Sequence, residues 1–385
     1  MYLGSDSDSG GMFQYCQAVL EAIASLPKTK FSVVVAYISL QWEPYLSSYE
    51  LDTFHIKNPE RWWSFSHLWY ATGLPVGLWR SIAPYLHSDA KTFVRKKCDL
   101  WIFPSQDIWS YMAPVPSLTS IHDLMHRYER GFPEVSAHGR YHFRERRFRN
   151  ISRWAKGILV DSSVGKQQVY ESYQAPAEKI YVLPYVPPKY ISEALVQSDF
   201  MENYHLPEKF IFYPAQFWQH KNHARLITAL AKVKKKHPDI FLVLVGSKKN
   251  AHEDVEGRIK SLGLSQQVRI LGYVPNNHMP EFYRCARAMV MPTFFGPTNI
   301  PPLEAFALGC PVAVSNIYGI PEQVGDAALL FDPNSVDEIA DCIERLWQDD
   351  ALCASLISKG HARTVLWGQQ KFSHVLHGIV EKLTN

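Results

Sequence analysis

The chain has 385 residues, 46% of them hydrophobic and 20% charged, with a formal charge of +3. That length exceeds one ordinary core and points to two domains. So small a net charge argues against nucleic acid as a partner of the whole chain and leaves room only for a local basic patch. Six cysteines (Cys16, Cys98, Cys285, Cys310, Cys342 and Cys353) are scattered without a CxxC pair. Several lie inside apolar runs, which reads as buried reduced thiols rather than disulfides or zinc ligands. Met1–Gly11 is short and polar after MYLG, and no apolar run approaches the roughly 20 residues of a membrane helix. The expected location is cytoplasmic, with a peripheral place at the inner face of the cell membrane as the second option.

Met1–Gly4 reads as a short strand and Phe13–Leu26 as a helix, so Gly10-Gly11 falls at a strand-to-helix turn. Glycines there let backbone N–H groups approach a ligand. Asp6 and Asp8 have the letter pattern of a metal-binding D-x-D, but two carboxylates ahead of a helix read first as capping and solvation. No metal is expected. Phe31–Ser39 is a buried strand. The stretch 43–89 is rich in aromatic and apolar residues, among them Trp62, Trp63, Trp69, Tyr70, Leu74, Val76, Leu78, Trp79 and Ile82. Core packing is its first reading, and an amphipathic element on a membrane its second. Leu100–Pro104 and Ser117–Ile121 are strands, the latter followed at once by His122-Asp123. A histidine at the carboxyl end of a parallel strand is placed to face a cleft, or to hydrogen-bond within its own loop.

His138–Lys156 carries Arg140, Arg144, Arg146, Arg147, Arg149, Arg153 and Lys156 around apolar residues at helical spacing. It reads as a basic amphipathic helix with one solvated face, and as a surface for an anionic headgroup or pyrophosphate in the sharper reading. Strands at Gly157–Asp161 and Tyr181–Leu183 follow, then a proline-bearing polar stretch that reads as a linker. From Lys209 the β/α alternation restarts. Strands are expected at 209–214, 241–246, 268–271, 288–292, 311–315 and 327–331, with helices between them. Two such runs predict two doubly wound α/β domains with a ligand in the cleft between them. The boundaries read as 1–190, a linker 191–207, 208–365, and a C-terminal helix 366–385 packing back on the first domain. Within the second run, Met291–Asn316 is a strand, a Gly/Pro/Asn-rich turn, a helix carrying Glu304 and another strand. Such a turn lies where open parallel sheets bind ligands, and its free N–H groups suit a phosphate.

Five segments, in order, resemble glycosyltransferase family 4. The Gly10-Gly11 turn and IHDL are like the family's N-domain contributions. ILVDSSVGKQQVYESYQAPAEKIYVLPYVP is similar to its last N-domain unit and linker. PAQFWQHKNHARLITAL resembles the phosphate-binding turn opening the C-domain. VRILGYVPNNHMPEFYRCARAMVMPT is similar to the segment leading to the sugar site, and PPLEAFALGCPVAVSN to the donor-site helix. The resemblance covers most of the chain, strongest over 155–332 and weakest over 43–98. It implies a GT-B fold, α/β with two Rossmann-like domains facing across a cleft, and a retaining, metal-independent enzyme that closes around its donor.

By that resemblance Glu304 matches the second glutamate of an E-x(7)-E motif and would hold the donor ribose. A carboxylate suits vicinal hydroxyls because it only accepts. Lys221 would neutralise the donor diphosphate, as a catalytic group where charge develops. Thr298, Asn299 and Ile300 would offer N–H groups to phosphate or sugar. Tyr273 and Val274 would hold the base through their backbone. His122 would lie beside the transferred sugar as the second catalytic residue, with Gly10 and Gly11 under the diphosphate. Two positions depart from the pattern: the first glutamate of the motif falls on Gly296, and the usual arginine of the C-domain turn falls on Gln216. Asn299 or Thr298 would then recognise sugar by neutral hydrogen bonds, and His220, if protonated, would supplement Lys221. No cofactor is implied beyond a UDP- or GDP-linked sugar as co-substrate. The implied acceptor is a glycan or lipid-linked oligosaccharide, with an anionic membrane surface as a further partner. A nucleotide-sugar epimerase, a phosphorylase and a non-catalytic sugar-nucleotide-binding protein are the competing readings.

Overall fold

The computed structural model describes residues 1–6, 10–56, 69, 73–86, 88–193 and 199–385. Asp8, Trp62, Trp63 and Tyr70 lie outside the described residues. The chain divides into two units. The first comprises Met1–Leu124, Tyr141–Tyr185 and Gln369–Asn385, the second Met125–Arg140 and Val186–Gly368.

In the first unit, β1 (Tyr2–Leu3), β2 (Val34–Tyr37) and β3 (Asp52–His55) form one parallel sheet in the order β1-β2-β3. A second parallel sheet holds β4 (Trp101–Phe103), β5 (Ser117–Ser120), β6 (Gly157–Val160) and β7 (Ile180–Val182) in that order. The sheets meet through Tyr2, whose ring lies 5.5 Å from Phe103 and 5.4 Å from Phe93. Strands β4, β5 and β6 are buried along their whole length, as parallel strands covered on both faces must be. Of the aromatic stretch, Trp79 and Val76 are core residues, whereas Leu74 and Leu78 are exposed.

The helix Gln369–Thr384 belongs to this unit. Gly157 makes room for it: a Cβ there would meet Leu383 Cδ1 at 2.8 Å. Gln369 Nε2 donates to the Ala18 carbonyl at 2.9 Å, and His377 Nε2 to that of Ala22 at 2.6 Å, so the helix is pinned to Gly11–Ala24.

The second unit is built on one six-stranded parallel sheet, ordered β10-β9-β8-β11-β12-β13. Its strands are β8 (Ile211–Pro214), β9 (Leu242–Val245), β10 (Val268–Gly272), β11 (Ala288–Met291), β12 (Val312–Ser315) and β13 (Ala328–Phe331). The runs LVLV, AMVM and VAVS are wholly buried. Each crossover is a helix, so every βα turn lies at the same edge of the sheet.

Two boundaries differ from the sequence reading. Within the stretch read as a linker, 191–207, residues 199–207 pack into the second unit: Phe200 is 1% exposed in its core, with Met201, Tyr204 and Leu206 against it. Residues 125–140, expected in the first domain, also belong to the second unit, because Phe132 and Glu134 find their partners there. Among the described residues, no helix is long and apolar enough to cross a membrane. All six cysteines are free, four of them buried.

Candidate functional site

In the second unit, strand order reverses between β8 and β11, the place where an open sheet leaves a crevice at its carboxyl edge. The turns after these two strands frame it. The first runs from Ala215 through the short 3-10 helix Gln219–Lys221 to Asn222, which takes a left-handed conformation (φ 59°) ahead of the helix His223–Lys234. Asn222 is buried, and its Nδ2 donates to the carbonyls of Pro292 at 2.9 Å and Pro333 at 2.8 Å. The ends of β8, β11 and β13 are thereby tied at one side chain. His223 stacks on Phe217 (centroids 4.5 Å apart, 15° between planes), and burial holds its imidazole neutral, down at about 3.

The second turn explains the missing glutamate. Gly296 has φ 96°, and a Cβ on it would meet the Thr298 carbonyl at 2.7 Å and Asn299 Nδ2 at 2.8 Å. The Asn299 side chain occupies that space and donates to the Phe295 carbonyl at 3.1 Å. Its backbone is gripped by Gln323, which accepts from the Asn299 N–H at 3.1 Å and donates to its carbonyl at 2.6 Å. Position 296 is thus committed to glycine by geometry, and the amide of Asn299 stands beside the place a glutamate would have left from.

Glu304, in the helix Pro301–Ala307, is buried. One of its oxygens accepts from the Tyr190 hydroxyl and the other from that of Tyr283. Burial raises its pKa, and the two phenols offset part of that rise. Each oxygen keeps a second lone pair that can accept from a further donor. Neither tyrosine was singled out in the sequence. Tyr283 lies in a helix of ordinary pattern, and Tyr190 borders the stretch read as linker.

The segment 125–140 is docked over the first turn. Glu134 accepts from His220 twice at one oxygen, from Nδ1 at 2.5 Å and from the backbone N–H at 2.9 Å, and its other oxygen accepts from Asn250 Nδ2 at 3.1 Å. Burial alone would raise the Glu134 pKa, but the His220 and Asn250 hydrogen bonds outweigh it and hold the carboxyl at about 2. Phe132 packs 5.4 Å from Phe294 and 5.2 Å from Phe295. A cavity of ≈ 660 Å³ opens beside this contact, bordered by Gln219, Asn222, Arg225, Asp254, Phe294 and Glu129. It touches the same turns as Gln216, Lys221, Thr298, Asn299 and Ile300 without being lined by them. Gln216 accepts from Trp218 Nε1 at 2.8 Å and is committed within its own loop. Tyr273 is 74% exposed, while Val274 beside it is buried.

In the first unit, Gly10 (φ 57°) precedes the helix that begins at Gly11. His122 lies 4.9 Å from Tyr15, ring to ring. Its Nε2 is 3.0 Å from the Pro104 carbonyl and its Nδ1 is 2.8 Å from the Tyr185 hydroxyl. A carbonyl can only accept, so Nε2 carries the proton and Nδ1 accepts from Tyr185. Burial pushes the imidazole down to about 4, against smaller opposing effects from Pro104 and Asp123. Both nitrogens are therefore engaged inside the protein, with partners from the ends of β4 and β7 and not from the loop of His122 itself. The basic helix forms as Arg140–Trp154, with Phe148 and Ile151 buried. Several of its arginines have structural work: Arg144 pairs with Asp123, Arg149 with Glu145, and Arg146 donates to the Leu74 carbonyl at 2.9 Å. Asp8, half of the D-x-D pattern, lies outside the described residues. Among the described residues, no group of three or more His, Cys, Asp or Glu is placed to hold a metal ion.

Two parallel α/β units, the second with its turns gathered at a strand-order reversal, define the class, and known folds agree with it. HepE of Anabaena, solved in complex with UDP and glucose, superposes with a TM-score of 0.74 over 99% of both chains at 17% identity. The fold is GT-B. Residues 196–363 match the family model for glycosyl transferases group 1. O-antigen chain mannosyltransferase B of Escherichia coli is 28% identical over 239 residues, 60% of this chain and 62% of that protein. The serotype-specific mannosyltransferase WbdA of Escherichia coli is 26% identical over 213 residues, 54% of this chain and 25% of that one. The matched part therefore spans less than two thirds of these relatives' own lengths.

Introducing the glutamate that E-x(7)-E calls for should harm the turn. Gly296→Glu and Gly296→Ala are both expected to lose about 1–3 kcal/mol of stability, the scale of a strained left-handed residue, read as a fall in Tm. Equal or higher Tm in both would refute this account of position 296. His122 should titrate in the folded protein near 4, read by NMR, against about 6.5 in an unfolded chain. Its folded pKa is depressed, so the unfolded state takes up the proton first. Its contribution to stability is then full above about pH 6.5 and declines as pH falls toward 4, and His122→Gln should flatten that slope in denaturant titrations.

Proposed function

We propose that this chain is a retaining glycosyltransferase that moves a hexose, mannose-type or related, from a UDP- or GDP-linked donor to a hydroxyl of a growing glycan. The carrying observation is the pair of turns at the β8/β11 reversal, lying within the segment that matches the group 1 family. The mannosyltransferase relatives favour the sugar, and the UDP and glucose held by HepE favour a nucleoside diphosphate donor.

In this reading the leaving diphosphate gains charge as the glycosidic bond breaks. Lys221 and the N–H groups around Thr298–Ile300 meet that charge without a metal. The acceptor oxygen forms the new bond on the face the diphosphate leaves, and its proton passes to a diphosphate oxygen. Glu304, oriented by Tyr190 and Tyr283, takes the ribose hydroxyls. Gln216 brings no charge, and Asn299 offers a neutral amide to the sugar in place of a carboxylate. His122 of the first unit carries no proton in this reading, since both imidazole nitrogens are engaged.

The test begins with a thermal-shift screen of UDP-, GDP- and dTDP-sugars, because a ligand that binds the folded state raises its Tm. Transfer is then followed with the donor that binds. Glu304→Ala is expected to raise donor KM. Lys221→Ala is expected to lower kcat by about a hundredfold or more, the scale of losing one group that stabilises developing charge. Unchanged kinetics in both variants would remove these residues from the site. A donor sugar altered without any acceptor would instead mark an epimerase.

A lipid-linked acceptor at an anionic membrane surface is the second part of the proposal. Leu78, Tyr85 and Leu86 are exposed on the helix Val76–Leu86, whose other face buries Val76, Trp79 and Ala83. The exposed Arg153 of the basic helix lies over the Trp154 ring at 5.2 Å, and Arg80 of the apolar helix lies over the same ring at 4.8 Å. Apolar and basic surface on neighbouring helices is what an interfacial element presents. Flotation with vesicles containing anionic lipid should recover the protein at low salt and lose it at high salt. Recovery independent of anionic lipid, or none at all, would count against the membrane.

A further inference from the structure

The carboxylate of Glu134 is 6% exposed and lies on the second unit, in a segment that the site reading above does not use. It holds two loops directly and a third through one of them. It binds His220 of the β8 turn through both the ring and the backbone N–H, and Asn250 of the β9 turn through its other oxygen. His220 passes the constraint on to the β11 turn. Its carbonyl accepts from the Phe294 N–H at 2.8 Å, and its ring stacks on Phe295 at 3.8 Å and 13°. The next residue is Lys221, whose carbonyl accepts from the Tyr213 hydroxyl at 2.9 Å. The short 3-10 helix Gln219–Lys221 is thus fixed at its middle by Glu134 and at its end by Tyr213 and Asn222. A turn of three residues has little stiffness of its own, so the direction of Lys221 depends on those anchors.

We propose that Glu134 is a positioning residue for the donor diphosphate: by clamping His220 it orients Lys221 and the turn that opens at Phe294, and so sets affinity for the nucleoside diphosphate. This rests on the donor-site reading above. The charge that must be held still is the one that meets the diphosphate, and small displacements of such a group are expensive. With Gln216 in place of an arginine, this turn has one fewer cation to compensate for a misplaced Lys221.

The experiment compares Glu134→Ala, Glu134→Gln and Phe132→Ala with the wild type. Donor KM, kcat and calorimetric Kd for UDP and GDP are measured, and folding is checked by circular dichroism. Glu134→Ala is expected to raise donor KM and nucleoside diphosphate Kd about tenfold and also to lower kcat, by less than the roughly hundredfold loss of Lys221→Ala. Glu134→Gln keeps an oxygen that can accept both His220 bonds, so it should recover most of the affinity. Phe132→Ala removes packing but not the carboxylate, and should lower Tm with little change in Kd. Affinity unchanged in Glu134→Ala, or an equal loss in Phe132→Ala, overturns the proposal. Should Glu134→Ala not fold, a Glu134→Gln variant as weak as Lys221→Ala would overturn it as well. A wild type that binds UDP or GDP but transfers no sugar refutes the transferase reading alone, and the Kd series still decides the role of Glu134. A wild type that binds neither refutes both.

Discussion

The Asn222 amide donates to carbonyls at the ends of two strands that its own strand does not follow in sequence, those of Pro292 and Pro333. A parallel sheet gathers its βα turns at one edge but does not fix them to one another. Their backbone groups face outward, and a turn that closes over the edge must satisfy them with side chains. Asn222 does this for two carbonyls from a left-handed conformation that asparagine tolerates better than most residues. The register between the Gln219–Lys221 turn and the turn at Gly296 follows from that pair of bonds. So does the position of everything else at this edge, from the seat of His220 against Phe295 to the start of the Pro301–Ala307 helix.

Gly296 and Asn299 show how a site can keep its frame while exchanging its chemistry. A glutamate at 296 would need a Cβ where the Thr298 carbonyl and the Asn299 amide now lie. The turn is tightened instead, with Asn299 bonded to Phe295 and held through its backbone by Gln323. The buried carboxylate that remains, Glu304, is shared by two phenols, whose bonds to its charged form offset part of the cost of burial.

The parts of this architecture legible in the sequence are those carried by local pattern. Runs such as LVLV and AMVM are apolar on both faces, which only a doubly covered strand requires, and the helices between them keep a clear period. Strand β3, DTFH, escaped notice because it is short, polar and exposed over its first half. The stretch 191–207 reads as a linker by its polarity, yet Phe200, Met201, Tyr204 and Leu206 reach one core. The roles of Tyr190, Tyr283 and Glu134 had no local signal. Each acts on a partner between 21 and 114 residues away, and no spacing rule connects such positions. The two sequence positions that broke the expected pattern, Gly296 and Gln216, were visible, but only the backbone angle at 296 shows why glycine stands there.

The path of the chain has a consequence for how this protein can be divided. Residues 125–140 lie in the second unit between two parts of the first, and 369–385 return to the first after the second is complete. The chain therefore passes from one unit to the other at 124/125, 140/141, 185/186 and 368/369. No single cut separates the two units. A fragment ending at residue 185 lacks the helix that Gly157 leaves room for, and one beginning at 186 lacks Phe132 and Glu134. Each half, made alone, would expose apolar surface that the other stretch of chain was meant to cover, so shuffling either unit into another protein requires moving its detached piece as well.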